Sequence, residues 1–338
     1  MSKLRIVFLG TPDIACGFLS RMAEDGCHIA GVISRPDRPR GRGLKLCCPP
    51  VENKARELRF KTFQPHSDEE FAGTLSELQP DLGVVVAYGR LIKKEALAQA
   101  RLGFINVHFS LLPKYRGAAP VQWALIKGET VTGVTVFWLD EGMDTGPVFA
   151  AREVPILPAD DALSMFEKTA AAGTDLLAGC LKRIAAGELI KTPQTGPATP
   201  APRIKFEHTR LDFSGPAGAA VNLVRGLSCG PRARFDAVIN GKKTTIQVLK
   251  ASLPALALRQ TSLPASAPDG PAGPAGSRAG AITAIERGKG FFVKCSDSNL
   301  IIEEVQPEGK KPMKAVDFLN GARLKIGDRV EGERKGIG

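Results

Sequence analysis

Three polar residues that could do chemistry lie close together in the stretch NVHFS, residues 106–110. Asn106, His108 and Ser110 are two positions apart, and in a strand such residues point to the same side of the backbone. A carboxamide and a protonated imidazole can both donate hydrogen bonds to an oxygen that gains negative charge. The pattern indicates either an acyl-transfer site or simply a strand that ends in a turn.

A candidate carboxylate follows 36 residues after His108, at Asp144 in LDEGMDTGP. If two adjacent strands end at one rim of a sheet, Asp144 lies beside His108, where it would orient the imidazole and raise its pKa. An aspartate in such a loop is also a common turn former. Ser110 is a weaker candidate for a nucleophile, because the motif holds no second histidine to act as its base.

The first part of the chain alternates strand-like and helix-like segments. Apolar runs predict strands at residues 4–10, 28–34, 81–87, 103–109 and 133–139. Ser67 followed by Glu70 predicts the start of a helix. This alternation predicts an α/β fold with a doubly wound, mostly parallel, Rossmann-like sheet. Ligands of such sheets bind beyond the carboxyl ends of the strands, and Asn106 and His108 lie near such an end.

The composition changes near residue 191. A helix is predicted over 162–186, and the proline-rich TPQTGPATPAPR then predicts a linker over 191–205. We therefore expect one domain over 1–190 and a second over 206–338. Short alternating segments, among them VNLVRGLS at 221–228, predict that the second is a small β-barrel. A low-complexity insert interrupts it at about 254–280.

Composition excludes several classes of protein. No apolar run reaches the roughly 18 to 20 residues that cross a bilayer, and the chain enters a strand at once, so we expect a cytoplasmic protein. The seven cysteines form no C-x-x-C pair, which predicts neither a zinc site nor a disulfide framework. The chain also lacks a P-loop and a G-x-G-x-x-G motif, which weighs against a nucleotide cofactor.

Positive charge is concentrated in the second part of the chain. Up to residue 202 there are 24 Lys and Arg against 22 Asp and Glu, whereas from Arg203 onward there are 22 against 13. The loop RPDRPRGRGLKL, 35–46, holds five basic residues and one acidic residue. Such charge suits contacts with phosphates, although a solvated loop would have the same composition.

Two longer stretches make the chain resemble a known family. NVHFSLLPKYRGAAPVQWALIKGET and TGVTVFWLDEGMDTGPV are similar to the folate-dependent formyltransferases that act on charged initiator tRNA. The resemblance extends over almost the whole chain, through VFLGTPD, PDRPRGRGLKL and VQPEGKKPMKAVDFLNG. It implies that the C-terminal barrel is an OB-like tRNA-binding domain.

The resemblance also implies roles for individual residues. The family's catalytic residues fall on Asn106, His108 and Asp144, and no metal is expected. Its tetrahydrofolate contacts fall on Ser110, Leu111, Leu112 and Pro113, and its tRNA contacts on Arg38, Arg40, Arg42 and Lys45.

The implied reaction moves the formyl group of 10-formyltetrahydrofolate to the α-amine of methionine on initiator tRNA, in a protein expected to be monomeric. Two alternatives stay open. One is a formyltransferase that acts on a small amine, and the other is a tRNA-binding protein without catalytic activity.

Overall fold

The structure, a computed structural model, describes residues 4–40, 45–254 and 278–332. The chain forms two compact units. The first unit comprises Met1–Val121, Thr130–Leu157 and Ser164–Arg203, and the second comprises Gln122–Glu129, Pro158–Leu163 and Ile204–Gly338. No helix within the described ranges is both long enough and apolar enough to cross a bilayer.

The first unit is built on one seven-stranded sheet and a separate hairpin. Its strands are β1 (Arg5–Gly10), β2 (His28–Ile33), β3 (Arg38–Arg40), β4 (Lys45–Cys47), β5 (Thr62–Phe63), β6 (Leu82–Val86), β7 (Phe104–His108), β8 (Val131–Trp138) and β9 (Val148–Pro155). The order in the sheet is β5-β2-β1-β6-β7-β8-β9, and β3 pairs only with β4. The predicted doubly wound, mostly parallel sheet is confirmed.

Six helices lie between or after these strands along the described chain. They are α1 (Ile14–Glu24), α2 (Pro50–Glu57), α3 (Asp68–Leu78), α4 (Lys94–Leu97), α5 (Pro120–Ile126) and α6 (Ala162–Ala185). The predicted cap of α3 is confirmed, because the Ser67 hydroxyl accepts a hydrogen bond from the Glu70 N–H at 3.1 Å. Phe71, Leu75 and Leu78 on one face of α3 pack against the sheet.

The last two strands of the sheet differ from the prediction. The strand β8 runs antiparallel to β7, with Ile105 opposite Trp138 and His108 opposite Thr135, and β9 runs antiparallel to β8. The end of β8 therefore lies beside the start of β7, and the prediction that both strands end at one rim is wrong. Asp144 reaches His108 through the loop between β8 and β9.

The second unit contains a curled antiparallel sheet, consistent with the OB-like domain. Its elements are α7 (Ala217–Gly226), β10 (Arg234–Ile239), β11 (Lys242–Ser252), β12 (Ile282–Glu286), β13 (Gly290–Lys294), β14 (Asn299–Pro307), β15 (Met313–Lys314) and α8 (Ala315–Ala322). The strand order is β10-β11-β14-β13-β12, with β15 on β14. Arg329 and Glu331 pair with Ala281 and Asp236, beside the two edge strands.

One predicted strand of this unit is a helix, and most of the predicted insert lies outside the described residues. The stretch VNLVRGLS was expected to be a strand, but most of it belongs to α7. Its apolar residues continue a helical spacing that begins at Ala217 and Ala220, and this face packs into the core of the unit. Most of the predicted insert at about 254–280 lies outside the described residues.

Gly146 provides a test of how the loop between β8 and β9 packs against the end of β8. A Cβ on Gly146 would overlap the carbonyl oxygen of Trp138. We expect Gly146→Ala to lower the free energy of unfolding by about 1–3 kcal/mol, measured by urea denaturation. The control is Gly179→Ala in α6, where a Cβ meets no atom within 4 Å and should stabilise the helix by about 0.5–1 kcal/mol. Equal stability of Gly146→Ala and the unmodified protein would contradict the packing of this loop.

Candidate active site

A cavity of about 420 Å³ lies at the carboxyl ends of β6 and β7 in the first unit. Asn106, His108 and Asp144 all line it, so the structure brings the three predicted catalytic residues together. The volume is within the usual range for small-molecule sites. Its apolar wall includes Ile92 and Leu139.

His108 ends β7 and is almost completely buried, with 6% of its surface exposed. Its Nε2 lies 2.8 Å from the carbonyl oxygen of Tyr115. Because a carbonyl oxygen only accepts hydrogen bonds, Nε2 must carry the proton that makes this bond. In the neutral imidazole Nδ1 is therefore unprotonated, and it faces the carboxylate of Asp144.

Asp144 is held beside the imidazole by its own contacts. Its Oδ2 accepts a hydrogen bond from the backbone N–H of Gly117 at 2.8 Å and lies 3.6 Å from Nδ1 of His108. The second distance is too long for a hydrogen bond but short enough for strong electrostatic stabilisation of an imidazolium. The carboxylate thus stabilises a proton that arrives at Nδ1.

Burial and the neighbouring carboxylate shift the pKa of His108 in opposite directions. Burial lowers its pKa below the ordinary value of 6.5, whereas the charge of Asp144 and the hydrogen bond to Tyr115 act in the opposite direction. The predicted effect of the carboxylate is confirmed, but burial outweighs it, and the sequence pattern did not reveal how deeply the ring is buried. His108 is therefore neutral at neutral pH and able to accept a proton.

The carboxamide of Asn106 can donate a hydrogen bond into the cavity. Asn106 is half-buried in β7, two residues before His108, and lines the cavity. Its side chain makes no hydrogen bond within the ranges that the structure describes. It can therefore donate to a substrate oxygen without first breaking a bond to the protein.

The four residues predicted to contact tetrahydrofolate form a turn after β7. The Ser110 hydroxyl donates to the Lys114 carbonyl oxygen at 2.6 Å, and the Ser110 carbonyl accepts from the Thr135 hydroxyl at 2.7 Å. The Leu112 N–H donates to the same Thr135 hydroxyl at 3.2 Å, and the bond between Leu112 and Pro113 is cis. The Ser110 hydroxyl therefore closes a turn, and the proposed folate contacts of Ser110, Leu111, Leu112 and Pro113 stay a prediction.

The predicted basic loop is partly a hairpin. In the pairing of β3 with β4, Arg38 lies opposite Cys47 and Arg40 opposite Lys45. The side chain of Arg38 is exposed. Arg42 lies outside the described residues.

Several residues of the site were not identified from the sequence. The segment from Ala87 to Ile92, which follows β6, lines the cavity beside β7. The rule that ligands bind beyond the carboxyl ends of parallel strands applies to β6 as well as to β7, so it could have located this segment. No local pattern in the sequence predicts a role for Tyr115, whose carbonyl oxygen accepts a hydrogen bond from His108. The same holds for Gln194, whose amide donates a hydrogen bond to the carbonyl oxygen of Asp144.

The described part of the chain holds no group of three or more His, Cys, Asp and Glu side chains that could bind a metal ion. A Rossmann-like sheet with an amide, an imidazole and a carboxylate at one cavity is the architecture of a group-transfer enzyme.

Comparisons with known proteins give the family. The model of the formyl transferase domain matches residues 4–181, and that of the formyl transferase C-terminal domain matches residues 203–323. A protein of Elusimicrobium minutum named methionyl-tRNA formyltransferase is 39% identical, over 97% of this chain and 99% of that protein. One of the same name from Geobacter metallireducens is 38% identical, over 98% and 99%. The chain belongs to the formyl transferase family.

A solved structure shares the fold at lower identity. The crystal structure of HypX from Aquifex aeolicus in complex with tetrahydrofolic acid has a TM-score of 0.62 and 16% sequence identity. The match covers 97% of this chain and 49% of that chain.

The acid side of the pH–rate profile tests the pairing of His108 with Asp144. If the neutral imidazole of His108 accepts the proton that the reaction releases, kcat/KM should rise with pH through an apparent pKa below 6.5. Asp144→Asn removes the charge that raises the His108 pKa, so its profile should move to lower pH, with a lower maximal rate. Titration of a substrate amine is common to both proteins and does not affect the difference.

The control is Asp175→Asn, an exposed carboxylate on α6 that pairs with Arg21. Its profile should match that of the unmodified protein. An Asp144→Asn profile at unchanged or higher pH would contradict the pairing.

Proposed function

We propose that this protein transfers the formyl group of 10-formyltetrahydrofolate to the α-amine of methionine on initiator tRNA, as a cytoplasmic monomer. The observation that carries the proposal is the meeting of Asn106, His108 and Asp144 at one cavity in a formyl transferase chain. The substrate follows from relatives that are named methionyl-tRNA formyltransferase and match nearly the whole chain.

The reaction forms one N–C bond between the amine and the formyl carbon and breaks the bond from that carbon to N10 of the folate. Asn106 donates a hydrogen bond to the formyl oxygen as it gains negative charge. Nδ1 of His108 takes the proton that the attacking amine loses, and Asp144 stabilises the resulting imidazolium. The imidazolium then returns this proton to N10 as it leaves, so tetrahydrofolate is released and no proton is lost or gained overall.

The cavity suits the formyl donor by its size and chemistry. Apolar side chains, including Leu91, Ile92, Leu139 and Met143, are combined with few polar side chains, as expected for a flat conjugated ring system. Leu91 and Met143 expose 63% and 66% of their surface, so the cavity presents apolar surface that a bound ring can cover. Ser110, Leu111, Leu112 and Pro113 are the further folate contacts that we propose.

A substrate comparison tests the function. We expect formyl transfer from 10-formyltetrahydrofolate to methionyl initiator tRNA at a much higher kcat/KM than to free methionine or methionyl elongator tRNA. Asn106→Ala and His108→Ala should each lower kcat by about 10²- to 10³-fold, because each loses a group that acts on the transition state. The rates are measured by quantifying formylmethionine released from the tRNA.

Each alternative gives a different result in this comparison. Transfer to free small amines but not to the charged tRNA would support a small-amine formyltransferase. Tight binding of tRNA without turnover would support a non-catalytic binding protein. Rates of Asn106→Ala and His108→Ala equal to that of the unmodified protein would overturn the mechanism.

Salt dependence tests the role of the basic loop. If Arg38, Arg40, Arg42 and Lys45 each neutralise a phosphate, the logarithm of the tRNA affinity should fall with the logarithm of salt with a slope of about −3 or steeper. The double variant Arg38→Gln with Arg42→Gln should weaken binding and flatten this slope by about 1.5. The control Lys182→Gln changes an exposed cation on α6 and should leave the slope unchanged. A double variant with an unchanged slope would remove the loop from the interface.

A further inference from the structure

Residues 190–201, which follow α6, are here called the connecting segment. Hydrogen bonds hold this segment against the loops of the first unit. At its start, Nε1 of Trp138 donates to the carbonyl oxygen of Ile190 at 2.7 Å. At its end, the N–H of Arg116 donates to the carbonyl oxygen of Thr199 at 2.9 Å. Most of the predicted linker therefore runs along the loops that carry the active site.

Gln194 lies in the middle of the connecting segment and uses both ends of its carboxamide. Its Nε2 donates to the carbonyl oxygens of Asp144 and Gly146, at 2.9 Å and 2.8 Å. Its Oε1 accepts from Nε and Nη2 of Arg116, at 3.2 Å and 2.7 Å. One side chain thus joins the Asp144 loop to the turn that contains Arg116.

Both loops joined by Gln194 support the catalytic pair. Arg116 stands between Tyr115, whose carbonyl accepts the Nε2 proton of His108, and Gly117, whose N–H donates to the carboxylate of Asp144. The backbone on either side of Arg116 therefore contacts both members of the pair. Gln194 fixes the position of this turn relative to the Asp144 loop.

The backbone of Asp144 needs such external support. Its φ is +54°, in the left-handed region that residues other than glycine rarely adopt. A residue keeps such a conformation only when surrounding contacts hold it there. The bonds from Gln194 to the carbonyls of Asp144 and Gly146 are contacts of this kind.

We infer that Gln194 is a positioning residue of the active site, which acts by holding the Asp144 loop and the Arg116 turn at the spacing that places Asp144 beside His108. The inference rests on the proposed function for its kinetic consequence, but its structural consequence does not depend on the substrate. Only an amide of this length serves both loops. A carboxylate cannot donate to the two carbonyls, and an asparagine is one methylene shorter.

The kinetic experiment compares Gln194→Met with the unmodified protein in the formylation of methionyl initiator tRNA. Methionine keeps nearly the same length without the donor or the acceptor. We expect kcat to fall about 10- to 100-fold while KM for both substrates stays within about twofold, because geometry is lost at the reacting groups and not at the binding surfaces. The control Gln99→Met removes a surface amide that accepts from Ser76 between α3 and α4, and it should leave kcat unchanged.

A spectroscopic readout needs no substrate. The chain has four histidines, so the His108 ring signals can be assigned by NMR and titrated. In Gln194→Met the retreat of the Asp144 carboxylate should lower the pKa of His108 below its value in the unmodified protein. A purely structural role would lower thermal stability without moving this pKa in the folded protein.

Three further variants extend the test. If Gln194→Met does not fold, Gln194→Glu replaces it, because it keeps the volume and the contact with Arg116; its kcat should fall by a similar factor. The single variant Arg116→Met is compared with the double variant Arg116→Met and Gln194→Met. The double variant should lose little more activity than either single variant, because the two residues act as a unit.

The inference is overturned if a folded Gln194 variant keeps the His108 pKa and the kcat of the unmodified protein. Additive losses in the double variant would equally contradict a shared action. If the unmodified protein does not formylate the charged tRNA while Gln194→Met still shifts the His108 pKa, the proposed function fails and the positioning role stands.

Discussion

The active site depends on the burial of one imidazole beside one carboxylate. His108 at the end of β7 loses most of its contact with water, which disfavours its charged form, while Asp144 3.6 Å away favours that form. The carbonyl of Tyr115 fixes the proton on Nε2 and leaves Nδ1 to face the carboxylate. The balance yields a neutral base that can be protonated during a reaction without becoming an isolated buried charge.

The sheet and two of the three candidate catalytic residues could be predicted from local patterns. Apolar runs located the central strands, and the spacing of two between Asn106 and His108 placed both on one side of β7. The direction of β8 could not be predicted in this way, because the apolar pattern of a strand is the same in either direction. The geometric reason for placing Asp144 beside His108 was that both strands end at one rim, which the antiparallel direction of β8 contradicts. The loop after β8 returns to His108 through contacts that are distant in sequence.

The parts of the site that the sequence did not reveal rely on backbone groups and on long-range hydrogen bonds. The Tyr115 carbonyl and the Gly117 N–H act without their side chains, so residue type does not disclose them. Gln194 lies in a proline-rich stretch without periodicity, a pattern typical of a linker. In the second unit, too, a local pattern was insufficient, because most of VNLVRGLS continues a helix that begins at the preceding alanines of α7.

The protonation state of His108 in the folded chain tests most directly whether the buried imidazole is neutral beside Asp144. NMR of the ¹⁵N-labelled protein at about pH 7.5 distinguishes the two neutral tautomers from the imidazolium, and His108→Gln identifies the signals by their loss. We expect a neutral ring with its proton on Nε2 and an unprotonated Nδ1. A ring protonated on both nitrogens at this pH, or a proton on Nδ1 alone, would contradict it.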